Sequence, residues 1–280
     1  MIIYGSEVAQ DIRDDIKRRI DEHVAKGKRR PGLSVILVGN NPASVSYVRG
    51  KSKACAEVGV NFELVTLDET ISQTELHAEI HKLNDDNSVD GILVQLPLPA
   101  HLDEQKALEE ITHLKDVDGL TEDSAGKMFL NKNSFKPCTP LGIIELLKRT
   151  GTDLCGKEAV VVGRSNLVGL PVSRLLIAEN ATVTVCHSRT KNLKEVCKRA
   201  DILVVAIGKA RFINHEYIKD DAIVIDVGVN RVDGKLCGDV DFDDVKDMCS
   251  WITPVPKGVG PMTIAMLLSN TLKSYEEINY

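Results

Sequence analysis

Two rhythms of apolar residues alternate along the chain. Val8, Ile12, Ile16, Ile20 and Val24 recur at four-residue steps, which places them on one face of a helix that Ser6 can cap. The run "LSVILVG" (33–39) predicts a buried strand. Next come a helix in "NPASVSYVRGKSKACAEVG" ending at Gly59, a strand in "NFELVTL", a helix in "SQTELHAEIHKLND" and a strand in "VDGILVQLP". Such a βαβαβ series predicts a parallel sheet with helices on both sides.

Periodicity weakens through "TEDSAGKMFLNKNSFKPC" (121–138), read as a polar linker. "TPLGIIELLKRTG" then predicts a helix closed by Gly151, and a second series follows. It comprises strand "EAVVVG", a helix from Pro171, strand "ATVTVCH", helix "NLKEVCKRA", and strands "DILVVAIG" and "AIVIDVG". The last helical run, "PMTIAMLLSNTLKSYEEI", follows the final strand and is expected to pack back on the first series. The fold class is therefore α/β, with two α/β domains, the second a Rossmann-like parallel sheet. We expect one domain over 1–136 plus 262–280 and a dinucleotide-binding domain over 137–261.

Composition narrows the functional classes. At 280 residues the chain can bury a large core, and 43% hydrophobic with 27% charged residues is globular usage. An excess of 41 acidic over 35 basic side chains disfavours nucleic acid and anionic membrane as partners. Apolar runs such as "ILVQLPLPA" are far shorter than the roughly 20 residues of a membrane span. The N-terminus resembles neither a signal nor a transit peptide, so a cytoplasmic protein is expected. Seven cysteines without a C-x-x-C pair suit free thiols and predict no metal site.

The loop "AVVVGRSNLVGLP" raises the first chemical question. Gly163 allows a sharp strand-to-helix turn, Gly169 a close approach, and Pro171 suits a first helical position. Ser165 and Val168 stand where a G-x-G-x-x-G fingerprint needs glycine, so the turn alone is equally an ordinary βα connection. Strand "ATVTVCH" runs into His187, Ser188 and Arg189 without the carboxylate that would accept the ribose hydroxyls of NAD. Donors and positive charge there, with Arg164 in the turn, predict an extra 2'-phosphate and hence NADP. Val229, after "VIDVG", lies where a cofactor contact and a core role are both open.

The first domain carries the second question. Lys51 falls in the middle of the arc shared by Tyr47, Val48, Ala54, Cys55 and Val58, whereas Arg49, Lys53 and Glu57 project oppositely. An ammonium on an apolar stripe is costly unless it is paired or its pKa falls. Gln95 at a strand end and Asp118 in "KDVDG" also have bland readings as an edge amide and a turn former. The segments "PCTP" (137–140) and "TPVPKGVGPMT" (253–263) carry more proline and glycine than a connector needs.

Taken with "PASVSYVRGKSKACAEVGV", "GILVQLPLP", "KDVDG", "PCTPLGIIELL", "VVGRSNLVGLPVSRLL", "ATVTVCHSRT", "VIDVGVNR", "GDVDF" and "ITPVPKGVGPMT", the chain resembles the bifunctional methylenetetrahydrofolate dehydrogenase/methenyltetrahydrofolate cyclohydrolases. The resemblance implies NADP-dependent oxidation of 5,10-methylenetetrahydrofolate to 5,10-methenyltetrahydrofolate, then hydrolysis to 10-formyltetrahydrofolate, in one cleft between the domains. It makes Lys51 the central catalytic group, Tyr47 a folate-packing ring, Gln95 the partner that positions Lys51 and Asp118 the anchor of the pterin's polar edge. It assigns Gly163, Arg164, Ser165, Ser188 and Val229 to the cofactor. Leu96, Pro97, Pro256, Lys257, Gly258 and Val259 fall to a tetrahydrofolate-derived substrate, and a homodimer is implied. Lys257 stands where the family carries glycine, Thr121, Glu122 and Ser124 replace its His-Pro pair and Asn, and Gly50 beside Lys51 is atypical. Two other readings stay open: a dehydrogenase of another small substrate, and a non-catalytic nucleotide-binding protein. Both fit poorly with Tyr47, Lys51, Gln95 and Asp118 occurring together.

Overall fold

The computed structural model describes residues 1–279 and divides into two compact units, one of residues 10–138 with 264–280 and one of residues 1–9 with 139–263. The chain opens with helix α1 (Gly5–Ala25), then alternates β1 (Gly32–Val38), α2 (Pro42–Val58), β2 (Asn61–Leu67), α3 (Gln73–Asp85) and β3 (Gly91–Val94). The three strands form a parallel sheet in the order β2-β1-β3. β1 is buried at every position, as its mainly apolar run requires, whereas the edge strand β2 mixes half-buried and exposed residues. Asn41 caps α2, Ser72 and Glu75 form a capping box on α3, and Gly59 ends α2 in the left-handed region.

Two short helices follow, α4 (Glu104–Glu109) and α5 (Glu122–Phe129). α5 corrects the expected linker. Thr121 caps it by accepting from the Ser124 N–H, and Thr121 is itself held by the buried Asp116. Eight residues are too few for apolar periodicity to emerge, so the helix rests on its cap and tertiary anchor.

The other unit starts from α6 (Cys138–Arg149) and continues through β4 (Glu158–Val162), α7 (Gly169–Ala178), β5 (Thr182–Cys186), α8 (Leu193–Cys197), β6 (Ile202–Val205) and β7 (Ile223–Asp226). A hairpin of β8 (Asn230–Val232) and β9 (Lys235–Cys237), helix α9 (Phe242–Val245), strand β10 (Trp251–Ile252) and helix α10 (Val259–Asn279) complete the chain. Five strands make a parallel sheet in the order β10-β7-β6-β4-β5. Its centre is dry: every residue of β6 and β7 is buried. The hairpin, α9 and β10 were absent from the sequence reading, because elements of two to four residues leave no periodic signal.

Residues 1–9 were expected with the first series, but they pair with the five-stranded unit. Ile2 bridges Ile252 and the Met1 ammonium donates to the Ser250 carbonyl, extending the edge of the sheet at β10. α10 begins at Val259, two residues before its expected Pro261 start. Its later turns pack as expected with the three-stranded unit, where Ser274 donates to the Asp90 and Leu114 carbonyls.

Candidate active site and cofactor loops

In the three-stranded unit, α2 presents Val48, Ala54, Cys55 and Val58 to the core, with Lys51 half-buried among them. Lys51 Nζ donates to Gln95 Oε1 at 2.7 Å. Gln95 follows β3, and its backbone N–H donates to the Ile36 carbonyl. Its side-chain Nε2 donates to the Leu96 carbonyl at 2.7 Å, which turns Oε1 toward the lysine. Burial lowers the Lys51 pKa below its usual 10.5, opposed by the negative charge of Asp118.

Asp118 is half-buried beside Lys51, and burial raises its carboxyl against the pull of the lysine and of Cys138. The turn that presents it is organised by Asp116. That buried carboxylate accepts from the backbone N–H of Gly119, Leu120 and Thr121 and from the Thr121 hydroxyl. Sequence reasoning credited Asp118 with turn formation and missed Asp116, although an Asp followed by Thr at i+5 around a glycine was visible. Behind the turn, Asn270 of α10 donates to the Val117 and Lys136 carbonyls, and burial drives the Cys138 thiol pKa well up.

The structure therefore brings Lys51, Gln95 and Asp118 together. Tyr47 shares α2 with Lys51 but is 58% exposed, so its ring is not part of the buried stripe. Leu96 is half-buried and Pro97 exposed, with a cis bond between them. Gly50 is replaceable on steric grounds, since an added Cβ would meet only Ile264 Cδ1 at 3.6 Å.

The five-stranded unit gathers the other set of predicted residues. Pairing of Val162 with Cys186 and with Val205, and of Val205 with Asp226, puts the loops after β4, β5, β6 and β7 on the same carboxyl edge. Between β4 and β6 the chain has left in opposite directions, the switch point at which such sheets bind ligands. Gly163 at φ +132° closes this point tightly, as a Cβ there would lie 2.2 Å from the Ala206 carbonyl oxygen. Gly169 is the first residue of α7, and Pro171 is its third residue rather than the expected first. Pro171 still falls among the four N-terminal positions without an intrahelical acceptor. Ser165 Oγ accepts from the backbone N–H of Val168 and Gly169, so it caps the turn and keeps its own proton to donate.

Arg164, Ser188 and Arg189 are exposed at this edge, and Val229 is 55% exposed, which removes the core alternative for Val229. The loop bearing Ser188 is closed by Thr190, whose Oγ1 accepts from the His187 N–H. In the same unit Pro256 and Lys257 are exposed while Gly258 and Val259 are buried. Lys257 is held at φ +82°, a left-handed conformation. Among the described residues there is no group of three His, Cys, Asp or Glu side chains placed to hold a metal ion, and no helix long and apolar enough to cross a membrane.

Units built this way define a class: α/β enzymes that carry a dinucleotide-binding sheet and a separate set of reacting side chains. Family models sharpen the class, as residues 3–118 match the tetrahydrofolate dehydrogenase/cyclohydrolase catalytic domain and residues 137–279 its NAD(P)-binding domain. The bifunctional protein FolD of Bacillus anthracis is 56% identical over 278 residues, spanning 98% of this chain and 96% of its own. A Trypanosoma brucei methylenetetrahydrofolate dehydrogenase-cyclohydrolase, solved with NADP cofactor and inhibitor, superposes with a TM-score of 0.94 at 39% identity, covering 100% of this chain and 99% of its own. An NAD-dependent 5,10-methylenetetrahydrofolate dehydrogenase from Saccharomyces cerevisiae reaches 0.81 at 25% identity, over 99% and 97% of the two chains. The chain belongs to the tetrahydrofolate dehydrogenase/cyclohydrolase family.

Proposed function

We propose that this chain oxidises 5,10-methylenetetrahydrofolate to 5,10-methenyltetrahydrofolate with NADP and hydrolyses the product to 10-formyltetrahydrofolate. The observation that carries the reading is the Lys51–Gln95 hydrogen bond beside Asp118, set in a chain of this family. Bound NADP supplies the acceptor for a hydride from the bridging carbon. The residues present fit it: the close approach at Gly163 leaves a backbone cradle, and the end of β5 has no carboxylate to repel a 2'-phosphate. Gly163, Arg164, Ser165, Ser188 and Val229 hold the cofactor in this reading, with Arg164 and Ser188 on the 2'-phosphate. Both folds of cofactor preference exist in the family, so NADP over NAD rests on those side chains.

In the hydrolytic step, neutral Lys51 takes a proton from water as the water oxygen bonds to the bridging carbon. The remaining hydroxyl proton then leaves the oxygen as its C=O double bond forms, the electron pair of the carbon–N5 bond goes to N5, and N5 takes up a proton to leave the formyl group on N10. Burial, by lowering the lysine pKa, raises the neutral fraction available for this role. Protonated Lys51 steadies the opening intermediate. Gln95 holds the ammonium in place, Asp118 anchors the pterin's polar edge, and Tyr47, Leu96, Pro97 and Pro256 to Val259 contact the folate.

The three-stranded unit, residues 10–138 with the chain from 264 on, binds the folate, and the five-stranded unit, residues 139–263 with 1–9, binds NADP. The protein works in the cytoplasm as a homodimer. The exposed apolar side chains of Leu167, in the turn before α7, and of Leu170 and Ile177 on α7 support self-association. Light scattering reads the dimer directly, and a monomeric mass removes it. The functional test follows absorbance of NADPH on adding methylenetetrahydrofolate. Reduction with NADP is expected, and no reduction with either NADP or NAD removes the dehydrogenase reading.

A further inference from the structure

Asp239, immediately before Val240, places its carboxylate under the loop that follows β6. Oδ2 accepts from the backbone N–H of Ile207 at 2.7 Å and Gly208 at 2.9 Å, and Oδ1 accepts from Lys209 at 2.8 Å and from Asn230 Nδ2 at 2.9 Å. One side chain thus ties the loop after β6 to the residue next to Val229, after β7. Asp226, at the end of β7, completes the arrangement by accepting from the N–H of Gly228, Asp239 and Val240. The sequence has made room for both carboxylates: a Cβ on Gly228 would lie 2.1 Å from Asp239 Oδ1, and one on Gly238 would lie 1.7 Å from Asp226 Oδ2. Burial pushes the Asp226 carboxyl up to about 7, which eases the placing of a second carboxylate against it.

Sheet order says which part of the ligand these loops face. β5 lies on one side of β4, with β6 and β7 on the other. A dinucleotide whose pyrophosphate sits on the turn after β4 and whose 2'-phosphate sits after β5 must direct its other half over the loops after β6 and β7. We infer that Asp239, through the loops after β6 and β7, is a positioning residue for the nicotinamide half of NADP. It touches neither substrate nor cofactor. A carboxylate is needed because it accepts four hydrogen bonds with two oxygens and brings no donor to face the backbone N–H groups. The inference rests on the proposed NADP reading.

The test compares binding of NADP with binding of 2',5'-ADP, which carries the adenosine half alone, by calorimetry on the full chain. In Asp239→Asn, where an amide nitrogen confronts a backbone donor, NADP should bind about ten-fold more weakly while 2',5'-ADP shifts by less than about two-fold. The dehydrogenase rate should fall at least ten times further than the cyclohydrolase rate, which needs no cofactor. Asn230→Ala, which removes one donor and no buried charge, should move NADP affinity the same way by about three-fold and keeps the test open should the first variant fail to fold. Equal weakening of both ligands, or equal loss of both activities, assigns Asp239 a general structural role and overturns the inference. So do unchanged NADP constants in both folded variants. Failure of the wild-type chain to bind NADP would instead defeat the underlying cofactor reading.

Discussion

The two units use opposite materials for their sites. In the three-stranded unit, the groups proposed to carry the chemistry are partly buried side chains, Lys51, Gln95 and Asp118, which meet from a helix, a strand end and a turn. In the five-stranded unit the inner surface is backbone. Gly163 and the N–H groups of successive loops shape it, and the side chains assigned to the ligand, Arg164, Ser188 and Val229, project outward. The difference follows from the tasks. Burial is what lowers the Lys51 pKa, and a proposed base of this kind therefore sits partly buried with a partner that holds it. A phosphate needs many donors at low conformational cost, and a backbone loop supplies them while exposed cations select between ligands.

The sharpest way to break this contrast is Lys51→Met. Loss of the base is expected to cost about 10²-fold or more in cyclohydrolase turnover, with NADP affinity unchanged by calorimetry. Retained turnover would show that the interior amine is not where the hydrolytic chemistry lies. The wild-type enzyme should also gain cyclohydrolase rate as pH rises. Because burial depresses the Lys51 pKa, the gain should have its midpoint below the ordinary 10.5. A flat profile up to that value counts against Lys51 as the base.

A smaller effect is expected on the exposed side. Arg164→Ala with Ser188→Ala should reduce the preference for NADP over NAD by about ten-fold or more, mainly through weaker NADP binding. An unchanged ratio would place cofactor choice in other residues. The smallest effect concerns Lys257, held at φ +82°. Lys257→Gly relieves the left-handed strain but loosens the unfolded chain. The balance should stabilise the protein by at most about 1 kcal/mol, read as a higher melting temperature. A lower melting temperature would mean that the side chain makes contacts that outweigh its strain.

Legibility also differed between the two regions. β1, β4, β6 and β7 stood out as mainly apolar runs because a strand covered on both faces buries nearly every side chain, and the buried polar ones, Ser34 and Asp226, are hydrogen-bonded. Lys51 was visible because it interrupts a helical stripe. Asp116, Asp239 and Asn270 were not, since each acts by accepting from or donating to backbone groups of another segment, and backbone groups carry no sequence identity. α5 was hidden because a short capped helix in polar residues matches a linker in composition. Tyr47 shows the limit of wheel geometry: it projects between Ala54 and Val58 on the arc, both of them buried, yet is itself 58% exposed, because angle alone does not say how far along the helix the core reaches.

The sequence alone determined the α/β alternation, the faces that enter the cores, the glycine turn after β4, the acid-free end of β5 and membership of the family. These are local or ordered features, written in periodicity and motif. Tertiary structure decided that Lys51 meets a glutamine 44 residues away, that β6 rather than β5 leads toward β7, and that Asp239 ties loops 31 residues before it. Each depends on which strand edges become neighbours and on hydrogen bonds between distant segments. Those choices are made by mutual packing of whole elements, which no local pattern encodes.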